Sequence, residues 1–328
     1  MTPVLIMGDL PSTGILGEVA AERIGLPPAE SAGQESFFLD VIDDRLRGRD
    51  AVLVIYPAWR AEPNAKLVRL ARSALASDRI AGIPLHLPPL ALSLVADMLA
   101  FLAPYESPGM LSSIAHRLQS ELIAGAWVRS VAGLEHIHTP LRAHLASYLP
   151  GGFLVTAAPR SGVYRIAAHR QVDFGRRPAD PILLLMANGG GDLQWVRRNL
   201  APVLRPAGVT DARPQPLGPA FWGTQKYVEF VAFSGHPQAL SATTRSLACR
   251  PCPWCGELTN LPHCALCGMT QQYAPAGAPQ PAAPHPAPAR SPGPQPPRPR
   301  PSGEHLPPPH PGDVRVAPPA AATADHPK

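Results

Sequence analysis

Lysine is nearly absent from this chain, and so are the short motifs that usually name a reaction. Lysine occurs only at Lys66, Lys226 and Lys328, and charged residues of all kinds make up 16% of the 328 positions. No glycine-rich loop ends in the lysine of a GxxxxGK[ST] phosphate cradle, and no clean GxGxxG fingerprint occurs. Ser161, Ser234 and Cys249 lack a G-x-S-x-G elbow or a recognisable base partner, so nucleophilic catalysis has no support. Long unbroken apolar runs are missing as well. The longest, residues 83–103, holds His86, Pro88, Pro89 and Asp97, and a charge inside a bilayer is costly. It predicts a buried strand followed by a buried helix, with no membrane span. Residues 1–10 have no cationic start and contain Asp9, so no signal peptide is expected. A cytoplasmic protein is predicted. Its reaction, if it runs one, is not written in these residues.

Apolar residues supply 45% of the chain, enough for a sizeable core, and the net charge is a modest +5. Continuous apolar segments alternate with amphipathic ones. Residues 4–7, 51–56 and 80–87 read as buried strands. Helices are expected from the first loop (residues 8–14) to about Arg23, over 35–47, 63–77 and 90–102, and then over 110–124 and 140–149. Buried strands alternating with helices indicate an α/β fold with a mostly parallel sheet flanked by helices. From residue 151 the pattern changes to a β-hairpin (153–157 and 163–167), then strand 182–187, helix 192–204, strand 227–233 and helix 237–247. The expected organisation is an α/β domain over 1–150, a second, smaller α/β portion over 151–248, a cysteine-rich piece over 249–270 and a tail over 271–328. That tail is dominated by Pro and Ala with almost no large apolar side chains, which predicts disorder and a passive tether.

Asn188-Gly189-Gly190-Gly191-Asp192 lies between a strand and a helix, where backbone N–H groups can converge on an anion. Gly189, Gly190 and Gly191, with Arg197 and Arg198 nearby, are candidate anion-binding residues for a nucleotide or other phosphorylated ligand. The competing reading is a tight turn in which Asp192 caps the helix. Nine arginines face four aspartates between residues 160 and 213, with Tyr164 and Phe174 among them. That stretch is a candidate nucleic-acid surface or, more plainly, a solvated face. His136 and His138 share a face of an extended segment, but no third metal ligand stands at a convincing spacing.

The most specific pattern lies near residue 260. Cys252-Pro-Trp-Cys255-Gly256 and Cys264-Ala-Leu-Cys267-Gly268 are two CxxCG knuckles, separated by eight residues. Paired thiolates in tight turns can face one tetrahedral ion, and the following glycine allows the turn. Four cysteine ligands leave no open position for a catalytic water, so a structural Zn²⁺ is expected. Cys249 and His263 are alternative ligands; the glycine-followed pairs are preferred. Five cysteines arranged this way suit a reducing compartment. The segment resembles the short zinc-ribbon modules found at the ends of many bacterial and archaeal proteins. The resemblance implies a small β-hairpin with zinc on Cys252, Cys255, Cys264 and Cys267.

Residues 251–273 carry no Lys or Arg, and Glu257 is their only charged side chain. A ribbon that reads nucleic acid would need cations. Trp254, Leu258, Leu261, Leu266 and Met269 are more apolar surface than so small a fold buries, which suggests docking on a protein, either a partner or this chain's own body. The first expectation is therefore a non-enzymatic adaptor with a protein partner at the ribbon or tail. A phosphorylated-ligand protein and a nucleic-acid binder are the alternatives.

Overall fold

Four short strands, β1 (Val4–Met7), β2 (Glu22–Ile24), β3 (Val52–Pro57) and β4 (Ile80–Leu85), form a sheet in the order β2-β1-β3-β4, every pair parallel. The computed structural model describes residues 1–27, 33–166 and 174–271, and these belong to one compact unit, Met1–Ala274. The proline-rich stretch beyond residue 271 lies outside the described residues. Alternate side chains of β1 and β3 leave opposite faces. Leu5, Met7, Val52, Val54 and Tyr56 pack with Phe38, Ile42 and Leu46 of α1 (Gln34–Leu46) and with Leu67, Val68 and Ala71 of α2 (Ala61–Ala74). Val4, Ile6, Leu53 and Ile55 pack on α3 (Pro89–Leu102) and α4 (Pro108–Leu118). Burial on both faces is why these strands are apolar throughout, and the α/β reading of the sequence holds.

The helix expected to run to Arg23 is absent. Residues 8–21 instead wrap around α3, tied to the buried carboxylate of Asp97. Its Oδ2 accepts from the Ser12 hydroxyl at 2.9 Å and the Thr13 N–H at 3.3 Å, and its Oδ1 accepts from the Ala21 N–H at 3.1 Å. Arg23 Nη1 lies 2.6 Å from Oδ1, which balances the charge and leaves residues 22–24 extended beside β1.

A second sheet has the order β7-β6-β5-β10-β8-β9, from β5 (Ile123–Val128), β6 (Phe153–Ala158), β7 (Gly162–Arg165), β8 (Ile182–Asn188), β9 (Gly208–Ala212) and β10 (Tyr227–Ser234). Only β8 and β9 are parallel; the rest are antiparallel. Strand β5 falls partly within the helix expected over 110–124, which ends at Leu118. Its glycine explains the concealment. A Cβ at Gly125 would overlap the Val155 carbonyl and crowd the Phe230 ring, so this central strand carries no side chain where strand formers usually sit. Short helices complete this half: α5 (Leu141–Ala146), then α6 (Leu193–Trp195) and α7 (Ala201–Leu204) on either side of a π-turn over Val196–Leu200, then α8 (Gly218–Trp222) and α9 (Ala239–Arg245).

Helix α3 lies between the two sheets. It shares one core with β1 and β3 on one side and with Leu185, Ala187, Val231 and Phe233 on the other. Twelve of its fourteen residues are buried, so it is apolar on nearly every side, with Ser93 and Asp97 as its polar positions, as a helix covered all round should be. Among the described residues, no helix is long and apolar enough to cross a membrane.

Candidate functional site

The two CxxCG knuckles fold alike. Gly256 and Gly268 both take φ of 76°, donating to the carbonyls of Cys252 and Cys264 at 2.9 Å in each case. The N–H groups of Cys252 and Cys264 reach the carbonyls of Glu257 and Met269. This repeated turn brings the four sulfurs within 4.8 Å of one another, with Cys252–Cys267 and Cys255–Cys264 both at 3.6 Å. Ligands about 2.3 Å from a tetrahedral ion stand roughly 3.8 Å apart, so the four cysteines could hold a metal ion. Burial opposes ionisation of Cys252, but the N–H groups of Cys255 and Trp254 and the Gln271 amide more than offset it and bring that thiol down to about 6. Burial and the neighbouring sulfurs push Cys255 up to about 12, the behaviour of thiols that need a cation before all can ionise. Cys249 stands outside the quartet, its sulfur 3.5 Å from that of Met110, and His263 Nδ1 lies 3.2 Å from the Thr270 hydroxyl.

The cysteine-rich piece docks on its own chain. Glu257 accepts from the Gly109 N–H at the start of α4 at 3.1 Å, and the Asn260 N–H donates to the Ser113 hydroxyl at 3.2 Å. Leu266, Cys252 and Cys264 are buried in the core shared with α3 and α4. Of the proposed docking residues, Leu266 is spent internally, Leu261 is half-buried and Leu258 is at the surface but pairs in a two-stranded ladder of Arg250–Pro251 with Leu258–Thr259. Trp254 stays exposed. The body thus accounts for Leu266 and part of Leu261, while Trp254, Leu258 and Met269 stay at the surface.

In the glycine loop after β8 the N–H groups of all three glycines are already taken. The Asn188 side-chain oxygen accepts from the N–H groups of Gly190 and Gly191, both at 2.9 Å, Gly189 donates to the Tyr227 carbonyl at 2.9 Å, and Asp192 caps the Trp195 N–H at 2.9 Å. The glycines are there for packing: a Cβ at Gly189 would overlap the Tyr227 ring, and one at Gly191 would come within 2.6 Å of the Tyr227 backbone. Arg197 is paired with Asp211 at 2.8 Å, Arg177 with Asp180 at 3.2 Å and Arg176 with Glu121 at 3.3 Å; Arg198 is exposed. Arg170 and Asp173 lie outside the described residues. Tyr164 and Phe174 pack on the core around Phe230 and are not a stacking platform. His136 lies at the surface with its ring tilted against Trp59 (4.9 Å) and Phe221 (5.5 Å), and the desolvation it suffers there lowers its basicity, which is a packing role.

What the sequence did not reveal is a cleft of about 340 Å³ at the C-terminal edge of the parallel sheet. Met7 and Gly8 follow β1, Gly25 and Leu26 follow β2, Pro57 ends β3, Asn64 and Leu67 come from α2, and Leu217 reaches in from the second half. Carboxyl ends of parallel strands are where open α/β sheets usually hold ligands. Asp9 and Gln34 lie at the wall, and the cation there is Arg60, whose guanidinium sits 4.9 Å from the centre of the Trp59 ring. No carboxylate among the described residues pairs with Arg60. The residues that build this cleft are more than 200 positions apart, so no local motif marks it.

Deeper in the same junction, Glu229 of β10 is fully buried. Its Oε1 accepts from the Leu90 N–H at the start of α3 at 2.8 Å, while Oε2 has no partner. Burial pushes this carboxyl up to about 8, only partly opposed by that N–H. Glu229 is therefore a neutral acid at pH 7.

No family model and no curated protein matches the sequence. Solved structures do. A DegV family protein from Corynebacterium glutamicum superposes with a TM-score of 0.52 at 12% identity, over 72% of this chain and 97% of the other. The body has the DegV fold. A second DegV family protein, from Thermus thermophilus and described as binding fatty acid, superposes with a TM-score of 0.50 at 14% identity, over 71% of this chain and 99% of that one. This finding overturns the adaptor expectation, with its protein partner at the ribbon or tail, and both alternatives. The body carries its cysteine-rich piece as an internal contact, the three glycine N–H groups of the loop are taken by Asn188 and Tyr227, and of the arginine stretch Arg176, Arg177 and Arg197 are paired with carboxylates.

Proposed function

We propose that this chain binds a long-chain aliphatic acid in the cleft at the edge of the first sheet. The observation that carries the proposal is the combination of an apolar wall (Met7, Leu26, Leu67 and Leu217) with a single arginine that has no carboxylate partner among the described residues. A volume of 340 Å³ falls within the roughly 300–1,000 Å³ of small-molecule sites. Arg60 would hold the carboxylate, with Asn64 and Gln34 as neutral hydrogen-bonding groups, while the hydrocarbon leaves water against the leucines. The fatty-acid binding described for the Thermus protein supports the same reading. Organic extraction of the purified protein followed by mass spectrometry, and titration with palmitate, test it. A bound or titratable fatty acid is expected, weakened about tenfold or more by Arg60→Ala. Protein that takes up no C12–C18 acid would end the reading.

The thiol quartet supports a second, structural proposal: Zn²⁺ held by Cys252, Cys255, Cys264 and Cys267, clamping the C-terminal piece onto α4. The sulfur spacing carries it. Elemental analysis should give one zinc per chain, and a strong chelator should lower the melting temperature until zinc is restored. Metal-free protein that melts at the same temperature as zinc-supplemented protein would refute it.

A further inference from the structure

A second cavity, of about 240 Å³, shares no lining residue with the cleft. Its floor is Met98 of α3, Leu118 of α4, Leu122 and Phe233 of β10, all buried, and Ala239 and Leu240 of α9 form the facing wall. Its mouth carries two cations and one anion. Arg117 Nε lies 2.8 Å from Glu121 Oε1, and Arg176 Nη2 lies 3.3 Å from Oε2 of the same carboxylate. Two guanidiniums share one anion, and no other charged residue among those described lines the cavity. An excess positive charge thus stands at the opening of a mostly apolar space, whose remaining polar lining is the hydroxyls of Ser234, Thr243 and Ser246, and water competes less well there for an ion pair.

We infer that this cavity is a second binding site, for a medium-chain aliphatic carboxylate. The acid group meets the fork of Arg176, which is exposed at the rim, and the chain lies against Met98, Leu118, Leu122, Phe233 and Leu240. The cavity is smaller than the usual range of about 300–1,000 Å³, which selects a shorter chain than the cleft accepts. The inference is independent of the proposal for Arg60, because none of the same side chains is used.

Titration calorimetry with octanoate, and with octanol as the neutral control, tests it. Octanoate should bind the full chain and octanol should bind at least about tenfold more weakly. Ala239→Phe, which fills the cavity, should abolish this binding, and Arg176→Glu, which reverses the mouth, should weaken octanoate about tenfold while leaving octanol unchanged. Arg60→Ala should leave the site intact, so failure of the cleft proposal is read separately. Undiminished octanoate binding by folded Ala239→Phe, or equal affinity for octanoate and octanol, would overturn the inference. Should Ala239→Phe fail to fold, the surface substitution Arg176→Glu decides: octanoate affinity equal to that of the parent would overturn it.

Discussion

Asp97, in the C-terminal half of α3, and Glu229 of β10, packed on the first turn of α3, are both buried carboxyls, but the protein treats them differently. Asp97 is met by Ser12, Thr13, Ala21 and the guanidinium of Arg23, and Arg23 also reaches Ser93 at 3.1 Å and the Leu10 carbonyl at 3.1 Å. Glu229 has one backbone donor and an orphan oxygen. The first region is an ion-pair lock on a loop; the second is a neutral acid at the junction of the two sheets. A buried charge persists where partners are assembled around it, and a buried carboxyl without them keeps its proton.

Breaking the lock should have the largest effect. Asp97→Ala leaves Arg23 without its anion and frees residues 8–21, and a loss of about 3–5 kcal/mol is expected in denaturant unfolding. A loss below about 1 kcal/mol would show that the loop is held by packing alone. Next comes the pH profile. The folded value of about 8 for Glu229 lies above its ordinary 4.5, so its contribution to stability is complete below pH 4.5 and is lost as pH rises to about 8. Each unit by which the folded value exceeds the ordinary one corresponds to about 1.4 kcal/mol, so a few kcal/mol separate pH 5 from pH 9. Glu229→Gln, which cannot ionise, should flatten that slope and be the more stable protein at pH 9; parallel profiles for the two proteins would refute the assignment. The smallest effect is expected at Asn188, a neutral acceptor at the surface. Asn188→Ala strands two N–H groups that water can reach, and about 1 kcal/mol should be lost.

These differences also mark what could be read in advance. Strands such as 4–7 and 51–56 and helices such as 35–47 were legible because their apolar spacing is local and both faces of the sheet are covered. Residues 8–23 misled because the partner that shapes them, Asp97, lies more than seventy positions away. Strand β5 was hidden by Gly125, which is required by a neighbouring aromatic ring and not by strand propensity. The cleft had no signal at all: Arg60 lacks a motif around it, and Leu217 joins it only after the second sheet has formed.

Alternation of apolar strands with helices, a buried α3 and four thiols in two matched turns follow from short stretches of chain, because periodicity and turn chemistry act over a few residues. Where the backbone donors of each glycine loop go, which arginine is left without a counter-charge and which carboxyl keeps its proton were decided by groups brought together from distant positions. Hydrogen-bond satisfaction and desolvation depend on those neighbours, and only the folded arrangement supplies them.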